Sequence, residues 1–459
     1  MEQITKPHCG ARLDRLPDCR WHSSMFAIVA FGLLVCWSNA VGGLILAQLK
    51  ELGWTDNSTT ATFSAITTAG MFLGALVGGI IGDKTGRRNA FILYEAIHIA
   101  SMMVGAFSPN MDFLIACRFV MGVGLGALLV TLFAGFTEYM PGRNRGTWSS
   151  RVSFIGNWSY PLCSLIAMGL TPLISAEWNW RVQLLIPAIL SLIATALAWR
   201  YFPESPRWLE SRGRYQEAEK VMRSIEEGVI RQTGKPLPPV VIADDGKAPQ
   251  AVPYSALLTG VLLKRVILGS CVLIAMNVVQ YTLINWLPTI FMTQGINLKD
   301  SIVLNTMSMF GAPFGIFIAM LVMDKIPRKT MGVGLLILIA VLGYIYSLQT
   351  SMLLITLIGF FLITFVYMYV CYASAVYVPE IWPTEAKLRG SGLANAVGRI
   401  SGIAAPYAVA VLLSSYGVTG VFILLGAVSI IVAIAIATIG IETKGVSVES
   451  LSIDAVVNK

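Results

Sequence analysis

The sequence predicts an all-α membrane protein: twelve transmembrane helices in two six-helix bundles, with both termini in the cytoplasm. Of its 459 residues, 56% are hydrophobic and only 13% are charged, whereas a soluble domain carries about 25% charged residues. Twelve apolar segments have the length of about twenty residues that spans the hydrocarbon core: 25–48, 61–82, 90–107, 113–136, 150–173 and 182–201 in the first half, and 266–291, 302–323, 331–348, 352–376, 391–413 and 419–441 in the second. Basic residues concentrate in alternate loops, which indicates a fixed orientation in the membrane.

The distribution of lysine and arginine sets that orientation. Of 33 such residues, 27 lie in the two tails and the even-numbered loops, and only Lys50, Arg181 and Lys299 lie in the odd-numbered loops. Because basic loops stay on the inner side, we expect a multi-pass protein of the inner (cytoplasmic) membrane. The net charge of +8 then reflects topology, and no nucleic-acid partner is expected. No removable signal peptide is predicted.

Five regions follow from the pattern of apolar and polar segments. They are an N-terminal tail (1–24), a six-helix bundle (25–202), a central loop (203–264), a second bundle (265–441) and a C-terminal tail (442–459). Both tails and the central loop are predicted to be cytoplasmic. In the first tail, 12–17 predicts a short amphipathic segment on the inner membrane surface. The central loop is too short for a catalytic domain; charges alternate at helical spacing in its first part, and its second part is rich in proline.

The two halves of the chain repeat one another. A charged, glycine-bent hairpin at 79–88 joins two apolar runs, and a degenerate copy at 324–329 begins with an aspartate 241 positions after Asp83. Glutamates repeat as well, at offsets of 242 and 238, in the pairs Glu138 with Glu380 and Glu204 with Glu442. Internal repeats of a six-helix unit are typical of transporters that rock one bundle against the other.

The hairpin Gly79-x-x-x-Asp83-Lys84-x-Gly86-Arg87-Arg88 resembles the loop motif of the major facilitator superfamily at every position. Further matches to that superfamily and its sugar-porter-like branch are Arg118-x-x-x-Gly122-x-Gly124-x-Gly126, Glu138-x-x-Pro141-x-x-x-Arg145-Gly146 and Pro203-Glu204-Ser205-Pro206-Arg207-Trp208-Leu209. The resemblance covers the whole chain and implies secondary transport without a cofactor. We expect a monomer in the lipid bilayer.

The chain departs from sugar porters where they bind their substrate. The helix 7 pattern of those proteins is replaced by the stretch from Asn277 to Trp286, and their glycine- and proline-rich helix 10 pattern by the stretch from Tyr367 to Tyr372. Relatives commonly place an aspartate on helix 1, where this chain has Trp37-Ser38-Asn39. A sugar is therefore only one of the solutes that we expect.

Charged residues at the cytoplasmic helix ends form two matching sets. The first comprises Asp83, Arg87, Arg88, Glu138, Arg145 and Glu204, and the second comprises Asp324, Arg328, Glu380, Arg389 and Glu442. The resemblance implies two ion-pair clusters that lock the halves together in the outward-facing state. Topology anchoring alone is the alternative, but it does not explain acids at matching places. We expect a two-state element that solute binding can bias.

Three titratable residues lie deep within spans. Arg118 costs several kcal/mol there unless it finds partners or water; it either lines the cavity or bonds helix 1 carbonyls as a structural residue. Glu95 and His98 are three apart on one helix face, and they are the candidates for proton coupling. A satisfied pair between helices is the alternative interpretation of these two.

In the superfamily that the chain resembles, helices 1, 4, 7 and 10 supply the cavity. Amides there can donate and accept hydrogen bonds, and aromatic rings can stack on sugar faces or planar acids. The predicted solute contacts are Arg118, Trp37, Asn39, Asn277, Gln280, Tyr281, Asn285, Trp286, Tyr369 and Tyr372. Arg399 on helix 11 joins them; it either attracts an anionic solute or packs near the cytoplasmic gate.

We therefore expect a secondary active transporter that moves a small polar organic metabolite by alternating access, coupled to protons. The solute classes are sugars, polyols, sugar acids and other organic acids. An uncoupled uniporter or exchanger is the alternative, followed by a membrane solute sensor. No Walker motif or activated nucleophile supports ATP drive or an enzyme. His8, Cys9, Cys19 and His22 match no common zinc spacing, so no metal is expected.

Overall fold

The computed structural model describes residues 7–17, 19–141, 145–240, 253–323, 325–383 and 386–444, except for the side chains at 133, 134, 137, 145, 146 and 388. All regular secondary structure in these ranges is helical. The first eleven helices are α1 (Cys9–Asp14), α2 (Arg20–Val35), α3 (Gly42–Glu51), α4 (Asn57–Thr85), α5 (Arg87–Ala106), α6 (Met111–Tyr139), α7 (Arg145–Asn157), α8 (Ser159–Leu170), α9 (Ala176–Tyr201), α10 (Pro206–Ser211) and α11 (Tyr215–Thr233).

The remaining helices belong to the second half of the chain. They are α12 (Tyr254–Leu257), α13 (Gly260–Thr293), α14 (Leu298–Met309), α15 (Gly311–Val322), α16 (Arg328–Ser347), α17 (Met352–Val370), a π-helical turn (Cys371–Tyr377), α18 (Val378–Glu380) and α19 (Lys387–Ile439). Within the described ranges, nine segments are long and apolar enough to cross a membrane. The predicted class of all-α membrane protein is confirmed.

Three predicted helix boundaries differ from the structure. The span expected at 25–48 is interrupted between Val35 and Gly42, because the Ser38 carbonyl accepts a side-chain hydrogen bond and not a helical one. The span expected at 150–173 is interrupted at Trp158. The helices expected at 391–413 and 419–441 run together as α19, which turns at Gly417 with φ 64° and ψ −159°, a conformation that glycine adopts without strain.

The structure divides into two compact units. Unit 1 comprises the described residues of Met1–Ser38, Gly70–Ser159 and Leu184–Gly246. Inside it, α4 and α6 pack through glycines. A Cβ atom added at Gly70 would lie 2.3 Å from the Phe119 carbonyl oxygen, and one at Gly74 would lie 2.0 Å from that of Val123. Only glycine lets the two backbones approach so closely, which is how helices associate in a membrane.

Unit 2 comprises the described residues of Asn39–Ala69, Tyr160–Gln183 and Lys247–Lys459. Its α15 and α17 repeat the packing of α4 and α6. A Cβ atom at Gly311 would lie 2.5 Å from the Phe360 carbonyl oxygen, and one at Gly315 would lie 2.3 Å from that of Thr364. All four positions follow their unit 1 counterparts by 241 residues, so the repeat extends from charged motifs to helix packing.

The N-terminal tail packs on protein, and the prediction that it lies on the membrane surface is wrong. Leu13 and Leu16 are fully buried in an apolar cluster formed with α10 and α11. Arg12 donates to both Glu226 oxygens at 3.0 and 2.7 Å and also pairs with Glu219. The apolar and basic residues that suggested a membrane contact instead match the apolar and acidic face of α11.

Candidate functional site

The first-half charged residues form one hydrogen-bonded cluster in unit 1. Arg87 is at its centre: Nη1 donates to Asp83 Oδ1 at 2.7 Å, and Nε donates to Glu138 Oε1 at 2.9 Å. Glu204 Oε1 accepts from the backbone N–H of Arg87 at 2.7 Å and of Arg88 at 3.2 Å. These N–H groups open α5 and have no helical acceptor, so the carboxylate caps the helix at the positive end of its dipole.

The glycine of the loop motif is needed for this cap. Gly86 has φ 98°, and a Cβ atom there would lie 2.2 Å from Glu204 Oε2. The Asp83 carbonyl accepts from Trp208 Nε1 at 2.7 Å and from Arg212 Nη2 at 2.6 Å. Helix α10 is therefore tied directly to the end of α4.

Unit 2 repeats this arrangement around Arg328, at the start of α16. Arg328 Nε and Nη2 donate to the two oxygens of Glu380 at 3.0 and 3.1 Å. Glu442 accepts from the backbone N–H of Arg328 at 2.8 Å and of Lys329 at 3.1 Å. Burial acts to raise the pKa of Glu442, but the backbone N–H groups and Arg328 outweigh burial and hold that pKa below its ordinary value.

Two predicted gate residues fall outside this description, and a third has a different neighbour. Asp324 and the side chain of Arg145 lie outside the described residues. The Arg389 guanidinium carbon lies 5.2 Å from the ring centre of Tyr254. The hydrogen bonds given above for each cluster join helices of a single unit, and both clusters are intact in this conformation.

A buried polar chain in unit 1 links the residues predicted for proton coupling to Arg118. Arg118 Nη1 donates to the Ser38 carbonyl at 2.7 Å. The Ser38 hydroxyl lies 2.7 Å from His98 Nε2, and His98 Nδ1 lies 3.4 Å from Glu95 Oε2. Arg118 is 2% exposed, and the other three side chains are fully buried. The serine at the helix 1 position where relatives carry an acid thus connects the arginine to the imidazole.

At the Glu95 end of this chain one acceptor is unused. Glu95 Oε1 is enclosed and has no hydrogen-bond partner within the described residues. A neutral imidazole donates from one nitrogen and accepts at the other, and either nitrogen can carry the proton. The arrangement can therefore hold a proton between Glu95 and His98, and the hydrogen bond between His98 and Ser38 depends on where that proton lies.

Unit 2 contains a partly accessible group of amide and phenol side chains. Of the predicted solute contacts, Gln280 and Tyr281 are half-buried. The Tyr160 ring meets that of Tyr367 edge to face, with centroids 5.3 Å apart. The Tyr367 hydroxyl lies close to Tyr160 and Gln280, yet it completes no hydrogen bond within the described residues. An oxygen of a bound solute could supply the missing partner.

Sequence reasoning missed Tyr160 and Tyr367 as members of this group. Tyr367 lies two positions before the predicted Tyr369 on helix 10, so its side chain points in another direction. Tyr160 follows the break between α7 and α8 and precedes Pro161. A proline just after a polar aromatic residue within a span was the available signal.

Other predicted solute contacts on α13 are buried in packing. Asn277 Nδ2 donates to the Leu273 carbonyl at 2.7 Å. The Asn285 backbone is covered by α3, since a Cβ atom at Gly43 would lie 2.9 Å from its carbonyl oxygen. Trp286 is fully buried in an apolar cluster. In this conformation Asn277 bonds within its own helix, Asn285 is buried beside α3, and Trp286 packs between helices.

The tyrosines of predicted helix 10, which lie in α17 and the π-helical turn, form an aromatic ladder. Tyr369 donates to the Val272 carbonyl at 3.1 Å, and its ring centroid lies 5.7 Å from that of Tyr372. Tyr372 stacks on Tyr377 at 5.0 Å and 15°, across the π-helical turn. A π-helical turn within a helix often marks a functional position, although these rings are buried here.

Three predicted contacts remain. Trp37 is buried in unit 1, and Asn39 and Arg399 are half-buried in unit 2. Arg399 Nη1 is enclosed without a hydrogen-bond partner in the described part of the chain. Its guanidinium could donate to an anionic group on that side.

The cysteines and histidines of the tail do not form a metal site in the described residues, where no group of three or more potential ligands has suitable geometry. Burial and the neighbouring Glu210 raise the pKa of the Cys9 thiol to about 12. Metals bind the thiolate form, which this environment disfavours. Cys19 Sγ lies 3.4 Å from His22 Nδ1.

Comparison with known proteins agrees with the fold and the repeated clusters. The family model described as Major Facilitator Superfamily matches residues 26–406. YdjK of Escherichia coli (strain K12), whose name assigns metabolite transport to it provisionally, is 99% identical over 100% of both chains. The inner membrane metabolite transport protein YdjE of the same strain is 44% identical, covering 98% of this chain and 99% of its own.

Among solved structures, the xylose transporter XylE from E. coli in a partially occluded inward-open conformation has a TM-score of 0.73. It is 18% identical and covers 94% of this chain and 100% of its own, so it supports the fold. A helical membrane protein with one charged cluster repeated in both halves has an architecture that is typical of transporters. The chain belongs to the major facilitator superfamily. It is an inner-membrane protein of a metabolite transporter family and not an enzyme.

Proposed function

We propose that the protein is a secondary active transporter that moves a small polar organic metabolite across the cytoplasmic membrane by alternating access. The structural repeat is the observation that carries this proposal. The same helix-end cluster and the same glycine packing recur about 241 residues apart, once in each unit. Paired copies of one bundle can exchange between two facing states around a solute.

We propose twelve transmembrane segments for this fold, with cytoplasmic termini and a monomeric protein. Nine candidate spans are present in the described residues, and the turn at Gly417 divides α19 into two. The interrupted pairs α2–α3 and α7–α8 account for two more. Bundles at 25–202 and 265–441, joined by the central loop 203–264, follow from this count. The lysine and arginine distribution supports the orientation.

For the solute, the amide and phenol group of unit 2 is the proposed binding site. Gln280 and Tyr281 are half-buried, and the Tyr367 hydroxyl lacks a partner in the described residues. Such groups bind hydroxyl or carboxyl oxygens through hydrogen bonds and stack on planar or sugar faces. The name of the structural neighbour XylE refers to xylose, which favours a hydroxylated solute. The buried predicted contacts would reach the solute in another facing state.

The two charged clusters are the proposed gate. Each carboxylate cap holds helix ends together, and a change of facing state would alter the neighbours of both clusters. Asp83 is the exposed member, with 61% of its side chain accessible, and it pairs with Arg87. We expect Asp83→Asn to reduce transport severely at normal membrane insertion. Normal uptake at normal expression would show that the carboxylate is dispensable.

Proton coupling is proposed to run through Glu95 and His98. An ionised Glu95 is a buried charge with one unpaired oxygen, and protonation removes the cost of burying the charge. Ser38 joins His98 to the carbonyl that Arg118 binds, so the protonation state can alter the break in helix 1. Solute binding and proton binding would then favour the same conformation, which is the requirement for symport.

The test is solute uptake into proteoliposomes with and without an imposed inward proton gradient. We expect the wild type to accumulate solute only with the gradient. Glu95→Gln should retain solute exchange but lose gradient-driven accumulation, while Glu51→Gln, a change at an exposed glutamate, should behave as the wild type. Robust uptake that ignores the gradient would indicate uniport or exchange. Accumulation that survives Glu95→Gln would remove Glu95 from coupling.

A further inference from the structure

One buried arginine in unit 2 has two guanidinium nitrogens without a hydrogen-bond partner among the described residues. Arg265, at the start of α13, is 3% exposed. Its Nε and Nη1 atoms are enclosed without hydrogen-bond partners, and no ion pair involves it among the described residues. Arg118 and Arg328, the other deeply buried arginines, donate to a carbonyl and to a carboxylate, respectively.

A guanidinium in this position is costly. Burying a charge without a partner costs several kcal/mol, and in natural proteins such a group is paired. Glu380 is bonded to Arg328 and Glu442 caps α16, so neither of these carboxylates is committed to Arg265. A bound anion can supply the acceptor that Nε and Nη1 of Arg265 lack among the described residues.

A second donor without a partner, the indole N–H of Trp382, lies beside the same face of α13. Gly269 is one helical turn beyond Arg265, and a Cβ atom there would lie 3.7 Å from Cζ2 of Trp382. Trp382 is 2% exposed, and its Nε1 has no partner within the described residues. In an indole, Cζ2 is two bonds from the nitrogen, so the N–H lies near this contact. Residues four apart share one face of a helix, so Trp382 packs against the face of α13 that carries Arg265.

These donors lie near the start of α13, where we expect lipid headgroups. The start of α13 carries exposed Val261 and Ile267, which are suited to lipid, beside exposed Lys264. In the proposed topology this end faces the cytoplasm, where anionic lipids are concentrated. A phosphate offers several oxygens to a guanidinium fork and to an N–H group.

We propose that Arg265 and Trp382 form an oxyanion site that binds a phosphate group, supplied either by an anionic phospholipid or by a soluble phosphate. The site is separate from the solute group and from the two charged clusters. Filling it completes the hydrogen bonds at the junction of α13 with the segment before α19. The bound phosphate thereby stabilises unit 2.

The experiment measures thermal unfolding of delipidated, purified full-length protein. One arm titrates inorganic phosphate in detergent. The other compares nanodiscs of phosphatidylcholine with nanodiscs that also contain phosphatidylglycerol. We expect the wild type to be stabilised in at least one arm, and Arg265→Gln to weaken that binding by about tenfold or more, as for a lost charged hydrogen bond. Lys264→Gln, which removes the same charge from an exposed neighbour, should keep the effect.

The arms distinguish the source: stabilisation by inorganic phosphate indicates a soluble anion, and stabilisation only by phosphatidylglycerol indicates a lipid. Trp382→Phe keeps the ring but removes the N–H, and it should weaken the effect even if Arg265→Gln does not fold. Without phosphate, Arg265→Gln should be at least as stable as the wild type, because it removes an unpaired charge. Stabilisation in neither arm, or equal losses in Arg265→Gln and Lys264→Gln, would overturn the proposal.

Discussion

The carboxylate cap of α5 should contribute stability in two separable parts. Glu204 Oε1 accepts from the backbone N–H groups of Arg87, Arg88 and Ser205 at 2.7, 3.2 and 2.9 Å. In Glu204→Gln the amide oxygen can keep these bonds, but the charge at the helix N-terminus is lost. That charge contributes about 0.3–1 kcal/mol, and up to about 2 kcal/mol when partly buried. We therefore expect Glu204→Gln to lower the free energy of unfolding by about 1 kcal/mol.

Glu204→Ala should cost more, because three N–H donors lose their acceptor together. At about 1 kcal/mol for each net hydrogen bond, added to the charge effect, the expected loss is about 3–5 kcal/mol. Titration with SDS in mixed micelles measures both variants. Glu442→Gln and Glu442→Ala should show the same order in unit 2, where Glu442 accepts three backbone N–H groups. Equal effects of the glutamine and alanine variants, or an alanine variant as stable as the wild type, would refute this reasoning.

Three further outcomes follow from other contacts. Gly74→Val should prevent assembly of monodisperse protein in size-exclusion chromatography, whereas Gly79→Val should not, since a Cβ atom meets the Val123 carbonyl at 2.0 Å in the first case and nothing within 4 Å in the second. Burial acts to raise the pKa of Glu226, but hydrogen bonds from Arg12 and Arg15 outweigh burial and lower that pKa. The contact between the tail and α11 is therefore fully present above the ordinary carboxyl pKa of 4.5. Proteolysis of the tail should rise as the pH falls through the lower pKa of Glu226 in the folded protein. Gln280→Ala should weaken solute binding measured by calorimetry by about five- to tenfold, as for one lost hydrogen bond on the order of 1 kcal/mol. Unchanged affinity would mean that the solute site is not on α13.

The sequence predicted the charged clusters because charged groups at helix ends have few possible partners. Glu138 meets Arg87, and Glu380 meets Arg328, as the repeated spacing indicated. In such places local chemistry restricts the structure strongly. The close packing of α4 on α6 was not predicted, although nothing larger than glycine fits at Gly74 beside Val123.

The remaining features depend on contacts between distant segments. The contact between Ser38 and His98 joins residues that are 60 positions apart. No local sequence pattern predicts that Ser38, at the helix 1 position expected to carry an acid, binds an imidazole. The tail segment has the composition of a membrane-surface helix, but its arginines find the acidic face of α11, more than 200 residues away. Arg265 was not singled out in the sequence, and what distinguishes it is burial without a partner for Nε and Nη1 among the described residues.

Solute counterflow tests transport most directly. Solutes from a panel of sugars, polyols, sugar acids and aromatic acids are first selected by thermal stabilisation of the purified protein. Proteoliposomes loaded with an unlabelled selected solute are then diluted into a trace of the same solute in labelled form. Alternating access predicts a transient accumulation of label that is absent from protein-free vesicles. A solute that binds and stabilises the protein, yet never exchanges across the membrane, would contradict the account and indicate a solute sensor.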